Sequence, residues 1–157
     1  MNSDTRNIII VAYFFPPLGM AGTHRPLAWA NYLAAGHRVT VLTVKPIAYP
    51  VYDASQLRQL DSRVKVVRAG STDPARVAKF LPFLASERVR DTARQSRARQ
   101  LFFPDSRIGF VRPAWRKLKK LLAADNDSIL ITTSPPVSSH LLGLRAKAAT
   151  GCKWLSD

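Results

Sequence analysis

Ile8 to Tyr13 is a short, unbroken, β-branched apolar run, and Phe14-Phe15-Pro16-Pro17-Leu18-Gly19 follows it at once. An apolar run without alternation describes a strand covered on both faces. The prolines end it, because each fixes φ and neither has an N–H for a sheet ladder. A helix is predicted from about Gly22 to Ala35, with Leu27, Ala30, Tyr32 and Leu33 as apolar positions. Pro26 falls in its first turn, where a missing N–H costs little. Gly36 stands where a left-handed C-terminal cap belongs. His37 to Val44 is a second strand, ended by Lys45-Pro46. Buried strands joined by a helix lie parallel, so this βαβ unit commits the chain to an α/β architecture.

The alternation continues. Residues 46 to 62 read as a loop with one helical turn at most. Arg63 to Ala69 alternates charged and apolar residues, as an edge strand does, and Gly70-Ser71-Thr72-Asp73-Pro74 turns into a helix cap. Residues 84 to 109 fit either an amphipathic helix or a loop, interrupted at Phe102-Phe103-Pro104-Asp105. A helix over Val111 to Ala123 sets Val111, Trp115, Leu118 and Leu122 against Arg112, Arg116, Lys119 and Lys120. Ser128 to Thr133 is a fourth strand. Ser134-Pro135-Pro136 leads into a helix from Val137 to Ala149 capped at Gly151, and Lys153 to Asp157 is a fifth strand. At 157 residues and 46% hydrophobic, one core is expected, hence one domain over 1–157.

Charge is the unusual bulk property: 24 Lys+Arg stand against 10 Asp+Glu, a net +14. Between Leu84 and Lys120, eleven basic residues (among them Arg88, Arg94, Arg107 and Lys117) meet only Glu87, Asp91 and Asp105, a net +8. Such a segment suits a polyanionic partner: anionic lipid head groups, nucleic acid or a pyrophosphate-bearing substrate. It also reads as a solvated face. The single Cys152 excludes an internal disulfide, so a reducing cytosol is the expected compartment. No stretch reaches the roughly 18–20 apolar residues of a membrane span, and Met1 to Asn7 lacks the pattern of a signal peptide.

Ligands of open parallel sheets bind at the carboxyl ends of the strands. Three segments converge there. Gly19-Met20-Ala21-Gly22 precedes a helix N-terminus, whose free N–H groups favour an anion, and Arg25 adds a fork suited to phosphate. The same glycines also suit a tight strand-to-helix turn with no ligand. Ser134, Ser138, Ser139 and His140 follow the fourth strand. The serines and the exposed N–H groups of the turn are placed to hold a sugar hydroxyl or phosphate, although Ser134 serves equally as a helix cap; His140 reads either as a packed or solvent-facing histidine or as a catalytic base. His24 reads in the same two ways. Asp157, the one carboxylate at the end of a predicted central strand, is the catalytic candidate, while Asp53 and Asp105 lie in loops. There is no Cys/His cluster, no phosphate-binding loop with a Gly-Lys-Ser/Thr ending and no nucleophile elbow, so no metal site is expected. A small oxidoreductase is disfavoured, since the dinucleotide fingerprint is missing and Lys45 ends the second strand where an acid belongs.

Ile8 to Arg25, with the Pro26 to Val44 helix and strand behind it, resembles the opening of family-4 glycosyltransferases of the GT-B architecture. Ile131-Thr-Thr-Ser-Pro-Pro-Val-Ser-Ser-His-Leu-Leu-Gly-Leu and Thr150-Gly-Cys-Lys-Trp-Leu-Ser-Asp are similar to that family's fourth and fifth strands. Together they cover about half the chain; residues 46 to 110 match only loosely. The resemblance implies the Rossmann-like N-terminal, acceptor-side half of a retaining, metal-free enzyme. Its donor is a nucleotide sugar and its acceptor a glycan or lipid-linked glycan of envelope or exopolysaccharide synthesis. No further cofactor is implied. Donor phosphates would be held partly at Gly19 to Gly22. Arg112, Arg116, Lys117, Lys119 and Lys120 would face an anionic membrane surface from the cytoplasmic side, and nucleic acid is not the expected partner. The nucleotide-sugar domain is not represented, so the fragment is expected to be inactive alone. The sequence departs from the family twice. Ser134-Pro135 stands where many relatives carry a functional histidine, and Asp157 would be only the first residue of an acidic-arginine-acidic run.

Overall fold

The computed structural model describes residues 5–46, 51–73 and 103–157. The helix expected after Pro74 and the arginines from Arg88 to Arg99 lie outside them. In chain order the described elements are β1 (Asn7–Val11), α1 (His24–Ala34), β2 (Arg38–Val44), α2 (Ser55–Arg58), β3 (Lys65–Ala69), α3 (Val111–Ala123), β4 (Ile129–Thr132), α4 (Ser138–Thr150) and β5 (Lys153–Ser156). The strands form one all-parallel sheet in the order β3-β2-β1-β4-β5, flanked by helices in a Rossmann-like α/β fold.

The unalternating runs are buried because each strand face meets its own apolar layer. Ile9, Val11, Tyr13, Leu42, Val44 and Leu130 point to the side where α3 and α4 bring Ala114, Leu118, Leu122, Leu142 and Ala146. Ile8, Ile10, Ala12, Val39 and Val41 point to the other, against Leu27, Ala30 and Ala34 of α1. Full burial of each such aliphatic side chain contributes about 1.5–3 kcal/mol. β1 sits at the centre of both layers.

The edge character expected of the third strand holds, since β3 is outermost. β5 also lies at a margin of the described sheet, not centrally as expected; its burial is correspondingly poor, with Trp154 its only partly buried residue. Gly151 takes the left-handed cap at φ 68°, its N–H bonded to the Lys147 carbonyl. Gly36 does not, because α1 closes on a right-handed Ala35. The N–H groups of both Gly36 and His37 return to the Leu33 carbonyl, which winds the last turn tighter and delivers the chain straight into β2.

The amino ends of the strands are stitched by ion pairs of Asp127 with Arg6 and Lys153, and of Asp125 with Arg38. A hollow of about 520 Å³ on that edge is lined by Asn7, His37, Arg38, Thr40 and Arg63, among others. The sheet order reverses between β1 and β4, so the crevice of a parallel fold lies at the opposite, carboxyl edge.

Candidate functional site at the carboxyl edge

β1 and β4 pair directly, Val11 opposite Thr132, and the backbone carries the alignment further. The N–H of Thr133 donates to the Val11 carbonyl at 3.2 Å, and that of Asp157 to the Thr132 carbonyl at 3.0 Å. Three of the sequence-predicted residues, from three separate segments, meet here. Arg25, in the first turn of α1, reaches across the reversal point. Its Nη2 lies 2.7 Å from the Ser134 carbonyl oxygen, 3.3 Å from Thr133 Oγ1 and 2.9 Å from Asp157 Oδ2. Thr133 Oγ1 also donates to Asp157 Oδ2 at 3.1 Å, and Ser134 Oγ to the Asp157 backbone oxygen at 3.1 Å. Ser134 is therefore a tie to β5, not the helix cap. The Arg25 guanidinium lies 5.7 Å from the centroid of the Trp29 ring, one helical turn along.

Arg25 and Asp157 stay 52% and 33% exposed, so their pair is worth about 0–1 kcal/mol of stability. What the clasp offers instead is chemistry in reach of solvent. It places a cationic fork, the Ser134 hydroxyl and a carboxylate at the ends of β1, β4 and β5, over a buried Thr133. Such a set can orient a polyhydroxylated ligand, with Asp157 accepting from its hydroxyls and Arg25 donating to its oxygens.

The Gly19–Gly22 loop divides into two roles. Gly19 is required by the protein itself, since a Cβ there would lie 2.9 Å from both Val51 Cγ1 and Asp53 Cβ. That space lets residues 17–19 run against 51–53, with Gly19 N–H donating to the Val51 carbonyl and Asp53 N–H to the Pro17 carbonyl. Met20, Ala21 and Gly22 face solvent. A 3-10 turn, Ala21–Thr23, winds into α1, whose first turn has no side-chain cap. Asp53 accepts from the N–H and hydroxyl of Ser55, which hold its carboxyl below the usual range.

The turn after β4 does not gather all its candidates at the crevice. Ser138 is fully buried, and its N–H and Oγ both donate to Asp105, at 2.7 and 3.0 Å. The anion favoured by this helix N-terminus is thus an aspartate from 33 residues upstream in the chain. Ser139 is buried with its hydroxyl unpartnered. His140 Nδ1 sits 2.8 Å from Thr132 Oγ1, which also accepts from Trp154 Nε1 at 2.9 Å. His24 is exposed.

Sequence reasoning missed Asp105, Thr133, Trp154 and Arg68. Arg68 lies half-buried at the carboxyl end of β3. It donates to the Pro16 carbonyl at 2.6 Å and the Val44 carbonyl at 3.2 Å, with burial lowering its pKa. It ties the proline loop to the sheet. The sequence offers Asp73 only as part of a turn. It is 1% exposed, takes a hydrogen bond from the Tyr13 hydroxyl on Oδ2, and leaves Oδ1 unpartnered.

The basic residues Arg112, Arg116, Lys117, Lys119 and Lys120 are all exposed on α3, away from this clasp. Among the described residues there is no group of His, Cys, Asp or Glu able to hold a metal ion, and no helix long and apolar enough to cross a membrane.

Fold and crevice together define a parallel α/β protein with a polar, partly cationic carboxyl edge. Compared with protein-family models, curated proteins and solved structures, the chain finds no match in any of the three.

Proposed function

We propose that this chain is the acceptor-side, N-terminal half of a retaining GT-B glycosyltransferase, acting from the cytoplasm on a glycan or lipid-linked acceptor. The observation that carries the reading is the meeting of Arg25, Thr133, Ser134 and Asp157 at the reversal point of the sheet. These are the segments whose sequence resembles that family, and the distance along the chain between them is bridged by the β1–β4 pairing.

In this reading the acceptor's sugar hydroxyls bind across the clasp, with Asp157 as hydrogen-bond acceptor and Arg25 as donor. The exposed Met20, Ala21 and Gly22 backbone, ahead of the uncapped α1 N-terminus, meets the donor diphosphate. A facing nucleotide-sugar domain would supply the rest of the stabilisation of the leaving diphosphate, a large part of catalysis in such reactions.

Amide chemical-shift mapping tests it. Titration with soluble glycan acceptors and nucleotide sugars should shift residues 19–25, 132–134 and 157, and Arg25→Gln should weaken acceptor binding by about tenfold. Shifts confined to the amino edge, or no saturable shift with any member of a broad panel, would remove the reading.

The exposed cations of α3 favour a second reading, a basic module on an anionic membrane surface. Binding to anionic vesicles but not to DNA, abolished by reversing charge at Arg116, Lys119 and Lys120, would select it. Equal binding to both would reduce it to unspecific charge.

A further inference from the structure

The α3 cations are not one uniform face. Pro113, Arg116, Lys117 and Lys120 recur at the i, i+3, i+4, i+7 spacing of a single helical stripe. With Gly70, at the end of β3, they line a hollow of about 300 Å³. Arg112 and Lys119 fall roughly 100° around the helix, by its 3.6-residue period, and do not line it. The opposite side of α3 is closed by Ala114, Leu118 and Leu122 in the core and by Arg145 lying 5.1 Å from the Trp115 ring.

Like charges at helical spacing repel, so three cations around one hollow call for an anion. Among the described residues the protein supplies none. No described carboxylate lines the hollow: Asp53 is engaged with Ser55, Asp61 with Arg63 and Asp105 with Ser138, while Asp73 is buried and bonded to Tyr13 through Oδ2. Asp125, Asp127 and Asp157 hold Arg38, Arg6 and Arg25. Gly70 leaves the wall open, for a Cβ there would meet nothing within 4 Å.

We infer that this hollow is a binding site for a phosphate-bearing group, gripped by the Arg116 fork and the Lys117 and Lys120 ammonium groups. The pairing of a planar fork with two point charges matches a phosphomonoester or diphosphate better than a lone carboxylate. The volume, at the low end for ligand sites, fits a head group and not a whole nucleotide sugar. The site is separate from the clasp, so it stands or falls independently of the glycosyltransferase reading.

The group can come from free polyphosphate or from a lipid, and the test has an arm for each. Inorganic pyrophosphate is titrated by calorimetry into the whole chain. Phosphatidylcholine vesicles with and without phosphatidic acid are assayed by co-sedimentation. Both are repeated with Lys120→Gln and Lys119→Gln. The inference expects saturable binding in at least one arm, weakened about tenfold by Lys120→Gln and little changed by Lys119→Gln. Pyrophosphate binding identifies a free phosphate, and binding to phosphatidic acid vesicles alone identifies a lipid head group. Equal weakening by both variants, or no saturable binding in either arm, overturns the site.

Discussion

Gly143 sits in the middle of α4, where alanine would ordinarily stabilise the helix by about 1 kcal/mol. Here Gly143→Ala is expected to destabilise the protein. The new Cβ would lie 2.1 Å from Trp154 Cε2 and 2.2 Å from its Nε1, against the 3.4 Å at which ordinary contact begins. The indole would have to retreat by about 1.3 Å, the difference between 3.4 and 2.1 Å. A retreat of that size, drawn along the 2.9 Å bond from Trp154 Nε1 to Thr132 Oγ1, takes it beyond hydrogen-bond range. Overpacking costs about 1–3 kcal/mol and the lost hydrogen bond about 1 kcal/mol. Less the propensity gain, the net destabilisation is about 1–3 kcal/mol, a fall in Tm of about 2–10 °C for a chain of this size. Far-UV circular dichroism during thermal and urea unfolding measures it. The double variant isolates the cause: in a Trp154→Leu background the same Gly143→Ala change should be neutral or stabilising. A single variant as stable as the parent, or an equal penalty in both backgrounds, would refute the clash.

Asp105→Ala should cost about 1–2 kcal/mol in urea unfolding, since the Ser138 N–H and hydroxyl lose their acceptor at a buried helix start; an unchanged midpoint would mean the cap contributes nothing. Acid should weaken the fold. Arg63 holds the Asp61 carboxyl at about 2, and Lys153 and Ser55 depress those of Asp127 and Asp53. A carboxyl depressed in the folded state binds fewer protons there than when unfolded. Its contribution is therefore complete above about pH 4 and is lost as pH falls toward about 2. Tm measured across that window should decline, and Asp61→Asn should shallow the slope; an identical slope would count against the Arg63 pairing.

The βαβ opening was legible because β1 and β2 are covered on both faces, and double coverage writes itself as an uninterrupted apolar run. The convergence of the first loop, the Ser134 turn and Asp157 was legible too, because a parallel sheet places every strand's carboxyl end on one edge. What escaped notice depends on partners far apart in sequence. Asp105 carries no local sign that it caps a helix beginning at Ser138. Gly143 reads as a flaw in a helix until Trp154 is laid across it. Gly36 failed as a left-handed cap because two N–H groups, those of Gly36 and His37, found the same Leu33 carbonyl without it. Ser134 was a plausible cap by local rules, yet β5 brought its hydroxyl a better acceptor in Asp157. Asp53 was the missed signal within reach, an aspartate two residues ahead of the Ser55 that opens α2.

The place of β1 between β2 and β4 has a consequence for biosynthesis. Ile8 pairs with Val39 on one side and with Ile129 on the other. The first partner is made almost at once, whereas the second follows roughly 120 residues later, about 6–24 s at ordinary translation rates. Throughout that interval the nascent chain carries an Ile-rich strand with one edge unsatisfied, the kind of template on which chains join to one another. A ribosome stalled ahead of Ile129 would therefore hold a chain in which that edge of β1 cannot be closed by its own partner.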